Sequence, residues 1–285
     1  MERRGVFSDV TLSDKFIQDF SEIRFALFLA NFAENSNMAL IHSFEKSGNF
    51  LFRYRGQIPV LLFLLAVPVI YYTDISGLNE LTVNLITVLA IILSVSGFLI
   101  RALTIGTTPK GTSGRNTREG QVAETLNTGG IYSLMRHPLY LGNYLMWTGI
   151  VVFTFNLWFI IVVSLLFWIY YERIMFAEER FLERKFGEKY LEWSKKVPAF
   201  LPRFSGYQKN EIPFSTKSVL RREYSGVLAT VLAFTFIDHL RYYFMKGSFE
   251  VDRTSTWVLA IAIVVTILLR SLKHHTTVLN ERDRS

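Results

Sequence analysis

Arg136 and His137 stand at the mouth of an apolar run in "YSLMRHPLYLGN", residues 132–143, and Pro138 follows at once. A charge near lipid is costly, so it pairs, snorkels or carries function. Proline removes an amide donor and releases the carbonyl of Leu134, giving an irregular helix start where polar ligand atoms can bind. Further along, Glu178 and Glu179 follow Arg173 on a charged stretch. Taken alone, Arg136 and His137 read as snorkelling interface residues and the glutamates as a solvated helix face. Their separation along the chain gives them a joint meaning. Only "FNL" divides "VVFT" from "WFII", so Leu139–Phe155 and Trp158–Tyr171 read as a membrane hairpin closed at Asn156. Such a hairpin returns Glu178 to the membrane level of Arg136.

The elements that position these groups are apolar runs of membrane length. Half of the 285 residues are hydrophobic and 15% are aromatic. Besides the hairpin, the runs are Ile58–Tyr72, Leu81–Leu103, Gly226–Phe244 and Thr256–Leu269. A helix needs about 20 residues to span the hydrocarbon, with about 17 as the short end. The expected fold is therefore all-α: a multi-pass transmembrane helical bundle of about six spans. Lys and Arg support the same topology, because cytoplasmic loops carry their excess. One side receives seven in residues 1–56, four in 105–138, twelve in 172–222 and four from Arg270 onward. The other receives none in "ISGLNEL", none in "FNL" and two in 246–254. Both termini and both long loops should then be cytoplasmic. The net charge of +7 and pI near 9.5 follow from this bias, so no nucleic-acid partner is expected.

Residues 1–56 read as a cytoplasmic and interfacial helical segment, with Phe16, Phe20, Ile23 and Leu27 at amphipathic spacing. Residues 57–104 hold the first two spans. Residues 105–204 hold a Gly-, Thr- and Asn-rich loop, the RHPLY stretch, the hairpin and a charged helix over 172–196 ended by Pro198 and Pro202. Residues 205–285 hold a basic linker to about residue 222, the last two spans and a cytoplasmic tail. "MERRGVFSDV" lacks the apolar core of a cleavable signal peptide. With no cysteine there is no disulfide, thiolate nucleophile or zinc–thiolate site, and the five histidines have no metal spacing. No metal is expected. The glycines do not match a G-x-G-x-x-G nucleotide loop.

"LNTGGIYSLMRHPLYLGNYLMW", followed by "AEERFLERKFGEKYLEWSKKVPAFLPRF", resembles the isoprenylcysteine carboxyl methyltransferase family over roughly residues 117–204. The shared pattern is R-H-P-x-Y-x-G, a membrane hairpin, a Glu pair, then F-G-x-x-Y-x-x-(Y/W)-x-x-x-V-P. The resemblance implies an integral-membrane enzyme that uses S-adenosylmethionine. It implies cofactor contacts from Glu124, Thr125, Leu126, Asn127 and Tyr132, then His137, Pro138, Leu139 and Tyr140, and Glu178. In that frame Glu178 suits a cation and Arg136 or His137 an anion, while Tyr132 or Tyr140 suits stacking or cation–π contact. Arg136, Arg173 and Glu179 are the catalytic candidates, with Arg173 or Arg180 near the acceptor and Glu179 or Glu172 as a base if an amine were methylated.

One position departs from the family. Its enzymes for prenylated peptides carry an arginine four residues before the first Glu, where this chain has Ile174. The expected acceptor is therefore a lipid-like anion, a lipid phosphate or a prenyl-cysteine carboxylate, methylated on oxygen. The alternatives are a phospholipid amine N-methyltransferase, a nicotinamide-dependent enzyme like the membrane sterol reductases, and a non-catalytic scaffold or transporter. The reductases have a similar H-P-x-Y-x-G stretch but more spans. Expected partners are membrane lipids and a lipid-like or lipidated acceptor, with no protein partner. The expected location is a membrane (the inner membrane if bacterial), with the site on the cytoplasmic side.

Overall fold

The computed structural model describes residues 39–56, 61–109, 115–117, 120–210 and 212–281. The amphipathic stretch expected before residue 39 lies outside the described residues. The described chain forms α1 (Leu40–Arg53), α2 (Leu61–Tyr72) and α3 (Glu80–Gly106), then α4 (Pro138–Val152), α5 (Leu157–Phe186) and α6 (Glu188–Lys196), then α7 (Thr216–Lys246) and α8 (Thr254–His275). A ribbon of two three-residue strands, β1 (Arg115–Thr117) and β2 (Gly120–Val122), interrupts the long loop, which ends in a 3₁₀ turn at Gly130–Ser133. Among the described residues the fold is all-helical apart from that ribbon.

Local chemistry explains the helix starts. Asn79, Asn156 and Ser215 each accept a bond from a first-turn amide, at Thr82, Phe159 and Ser218. These side chains satisfy donors that a helix start leaves unpaired. Asn156 also donates to Thr73 Oγ1 at 2.9 Å, tying the hairpin tip to the end of α2. Phe155 in that turn has φ 63°, a left-handed conformation that is uncommon for a bulky residue. The Arg241 guanidinium donates to the Phe153 carbonyl and lies over the Phe155 ring at 4.5 Å, bracing the tip from α7. Arg253 grips Asp238 with two bonds of 2.8 and 2.7 Å, and His239 meets Thr256. The polar groups of "FIDHLRYY" therefore close the α7–α8 turn and the hairpin tip.

Packing centres on α3 against α4. A Cβ at Gly97 would overlap the Gly142 carbonyl, and one at Gly149 would overlap Ser94 Oγ. Small residues let two backbones approach closely, which is how helices associate where lipid removes the hydrophobic drive. Toward the hairpin tip, Ile70 of α2, Ile150 of α4, Phe159 of α5 and Ile237 of α7 share one buried cluster. At the other end, Phe52 of α1 packs with Tyr140, Tyr171, Ile174 and Met175.

Three expectations change. Three described helices are long and apolar enough to cross a membrane: α3, α5 and α8. The count of about six is not reached on that measure, because α2 and α4 have 12 and 15 residues and α7 carries Asp238, His239 and Arg241. The fourth apolar run and the charged helix are one element, α5, because no Gly or Pro interrupts residues 157–186. Gly187, at φ 54°, makes the break before α6. The basic linker ends earlier than residue 222, since Ser215 starts α7.

Candidate active site

The mouth of α4 is held from behind. Arg136 N–H donates to Pro198 O at 2.9 Å and His137 N–H to Ala199 O at 3.0 Å. His137 is the residue before α4 and Pro138 its first turn, where a missing amide proton costs nothing. The Arg136 side chain donates to Glu179 through Nε (2.8 Å) and Nη2 (3.1 Å), and through Nη1 to the carbonyls of Ser194 and Val197 (2.8 and 2.7 Å). A cation on the last carbonyls of α6 is favourable. Most of its five donors are thereby engaged, so Arg136 staples α4, α5 and α6 together.

His137 is buried, with Nε2 at 2.8 Å from Glu179 Oε1 and Nδ1 at 3.8 Å from Glu178 Oε2. Its ring stacks on Tyr140, whose hydroxyl donates to Glu178 at 2.8 Å. Glu179 thus fixes Arg136 and His137, while Glu178 stays buried with one phenol donor and faces a cavity of about 210 Å³.

Leu126, Asn127 and Tyr132 of the loop line that cavity, with Tyr190 and Trp193 of α6. Asn127 Nδ2 and Trp193 Nε1 are buried there without a hydrogen-bond partner. Buried donors are rarely left unpaired, so a group rich in acceptors fits between them. Burial, with Glu178 nearby, pushes the Tyr132 phenol above its ordinary range, and it stays neutral. Arg101, Asn143, Arg222 and Glu223 line it as well, and Arg55 joins from beyond α1. Arg101 donates to Glu223 at 2.8 and 2.6 Å and to Asn143 at 2.6 Å.

Of the residues expected from sequence, Leu126, Asn127, Tyr132, Arg136, His137, Pro138, Leu139, Tyr140 and Glu178 meet at this cavity. Glu124 and Thr125 are exposed and do not line it. Glu179 lies one layer behind, on His137 and Arg136. Arg173 points elsewhere: its guanidinium lies 3.3 Å from the Phe44 ring centroid and borders an apolar groove between α1, α2 and α5. Ile174 is fully buried against Phe52 and Tyr140. Sequence reading missed Arg55, Arg101, Asn143, Tyr190, Trp193, Arg222 and Glu223. Arg101 had a signal, since an arginine inside an apolar run marks function by default. Tyr190 and Trp193 sat in the quoted motif.

Unpaired donors and a buried carboxylate lining one cavity suit a zwitterionic ligand. Residues 85–189 match the model of the phospholipid methyltransferase family. The cobalt-zinc-cadmium resistance protein CzcN of Cupriavidus metallidurans is 40% identical over 89 residues, 31% of this chain and 41% of that protein. The protein-S-isoprenylcysteine O-methyltransferase of Xenopus laevis is 38% identical over 84 residues, 30% and 29%. That of Schizosaccharomyces pombe is 34% identical over 77 residues, 27% and 33%. The chain thus spans less than half the length of these relatives. No solved structure matches. From α3 to the start of α6, where cavity and matches coincide, the chain is similar to the phospholipid methyltransferase family and, within it, to the protein-S-isoprenylcysteine O-methyltransferases.

Proposed function

We propose that this chain is an integral-membrane methyltransferase that moves the methyl group of S-adenosylmethionine to an oxygen of a lipid-borne anion, on the cytoplasmic side. The observation that carries the reading is the pairing, across one cavity, of the buried Glu178 carboxylate with the unpartnered donors Asn127 Nδ2 and Trp193 Nε1. These residues fit a ligand that carries both a cation and acceptor atoms. Glu178 would hold the cationic part, its charge directed by the Tyr140 hydroxyl. Asn127 and Trp193 would bond the carboxylate or purine acceptors, and the neutral Tyr132 would pack beside them.

When bound, the cofactor supplies an electrophilic methyl: an acceptor oxygen pair forms the C–O bond and the C–S pair departs to sulfur. This chain's residues contribute position, which is the main demand of an in-line transfer. His137 cannot swing, because Glu179 holds one ring nitrogen and its backbone is bonded to Ala199. An anionic oxygen needs no base. That supports the O-acceptor over an amine, since Glu179 is occupied by Arg136 and His137, and Glu172 is exposed away from the cavity. Arg55 and Arg222 at the cavity also oppose a cationic head group. Titration calorimetry of the purified chain in detergent tests the cofactor: S-adenosylmethionine should bind and NADPH should not. Binding of NADPH alone would overturn the reading in favour of a reductase.

A further inference from the structure

The family match ends at residue 189, so α7 and α8 lie beyond it, yet α7 brings Arg222 and Glu223 to the cavity. Glu223 also borders a second space, an apolar groove of about 320 Å³ between α3, α7 and α8. Its walls include Phe98 of α3, Val219 and Val227 of α7, and Val258, Ala262 and Val265 of α8. We propose that the acceptor lipid seats its anionic head group beside Arg222 and lays one acyl chain in this groove. The inference rests on the methyltransferase reading and names the acceptor end of the same site.

Three observations support it. Adjacency is first: Glu223 borders both spaces, so the groove begins where the cavity wall ends. Length is second. Along α8 the groove runs from Val258 to Leu269, about 16 Å at 1.5 Å per residue. That is about half of a ~30 Å hydrocarbon core, the reach of one chain in one leaflet. Charge is third. Glu223 and Asn143 hold the Arg101 fork, so that pair is already balanced, whereas Arg222 directly precedes Glu223 on α7 and Lys273 lies over the Tyr224 ring. Cationic side chains beside the junction attract the oxygens of a phosphate or carboxylate. The other apolar groove, lined by Leu62, Leu166 and Tyr170, shares no lining residue with the cavity.

Native mass spectrometry of the purified full chain tests this without turnover, using dioleoyl phosphatidic acid, dioleoyl phosphatidylcholine and glycerol 3-phosphate as probes. The wild type should retain phosphatidic acid over phosphatidylcholine by about tenfold, the worth of one charge-assisted bond. Glycerol 3-phosphate, lacking the chain, should not be retained. Arg222→Ala should bring the two lipids near parity and Arg222→Lys should restore part of the preference. Ala262→Phe, filling the groove, should lower retention of both lipids at an unchanged melting temperature, whereas Leu62→Phe should not. An unchanged preference in Arg222→Ala, unchanged retention in Ala262→Phe, loss in Leu62→Phe instead, or equal retention of glycerol 3-phosphate would each overturn the proposal. S-adenosylmethionine titration on the same samples separates the two readings: lipid preference without cofactor binding would keep the lipid site and reject the methyltransferase.

Discussion

Glu178 and Glu179 are neighbours with different work. Glu179 has its oxygens on Arg136 and His137, while Glu178 faces the cavity with a single phenol donor. Replacing Glu178 by Gln keeps an acceptor for Tyr140 and removes the charge that a cationic ligand would meet. A charge-assisted bond is worth about 1.5–3 kcal/mol. Calorimetry should therefore show S-adenosylmethionine affinity reduced by about one to two decades, with the melting temperature near that of the wild type. Glu179→Gln should instead lower the melting temperature, since it loosens Arg136 and His137 together. A pH effect belongs to Tyr132 and Tyr190, whose phenols burial pushes above their ordinary range. A raised folded pKa gives stability that is complete below the unfolded value, about 10, and is lost as pH rises above it. Melting temperature should fall from pH 9.5 upward, and Tyr132→Phe should make that fall shallower.

Among the elements, α3 and α4 form the frame on which the cavity hangs. Gly97 and Gly142 meet backbone to backbone, and the Gly142 site also abuts the Arg101 stem, with Cγ 2.5 Å from an added Cβ. Bulk at the crossing therefore moves both the helices and the arginine. Gly97→Leu should cost at least the roughly 1–3 kcal/mol typical of overpacking, read as a lower melting temperature or loss of folded protein. Gly226, in the middle of α7, is the contrast, since an added Cβ there meets only Glu223 Oε2 at an ordinary 3.7 Å. Gly226→Ala should be neutral or stabilising by about 0.5–1 kcal/mol, because glycine is a poor helix residue.

As a whole molecule, the bundle presents large apolar side chains outward along α3, α5 and α8, including Leu85, Ile92, Leu165, Ile261 and Ile267. Water would not tolerate such continuous surface, whereas lipid does. The proposed orientation rests on the charge asymmetry of the loops. Reporters fused after Phe155 or Gly247 should read as extracytoplasmic, and after Gly114 or Gly206 as cytoplasmic. Residues 188–222 outside the cell would remove the site from a cofactor made in the cytosol and would sink the functional proposal.

The sequence by itself determined the apolar runs, the hairpin at Asn156 and the return of Glu178 toward His137, because each depends on neighbours within a few turns of helix or one short connection. It also offered Arg173 as a catalytic candidate, whereas the structure sets that side chain over the Phe44 ring. Only the tertiary structure decided the rest. Arg101 meets Glu223 across 122 positions, and that meeting depends on α7 crossing α3 at that height. Trp193 reaches the cavity because Gly187 turns the chain back there, and Glu124 points to solvent although its near neighbour Asn127 points inward. Local periodicity fixes which face of a helix a residue occupies. Which faces come together follows from close approach at small residues and from pairing buried charges, and both are sums over distant parts of the chain.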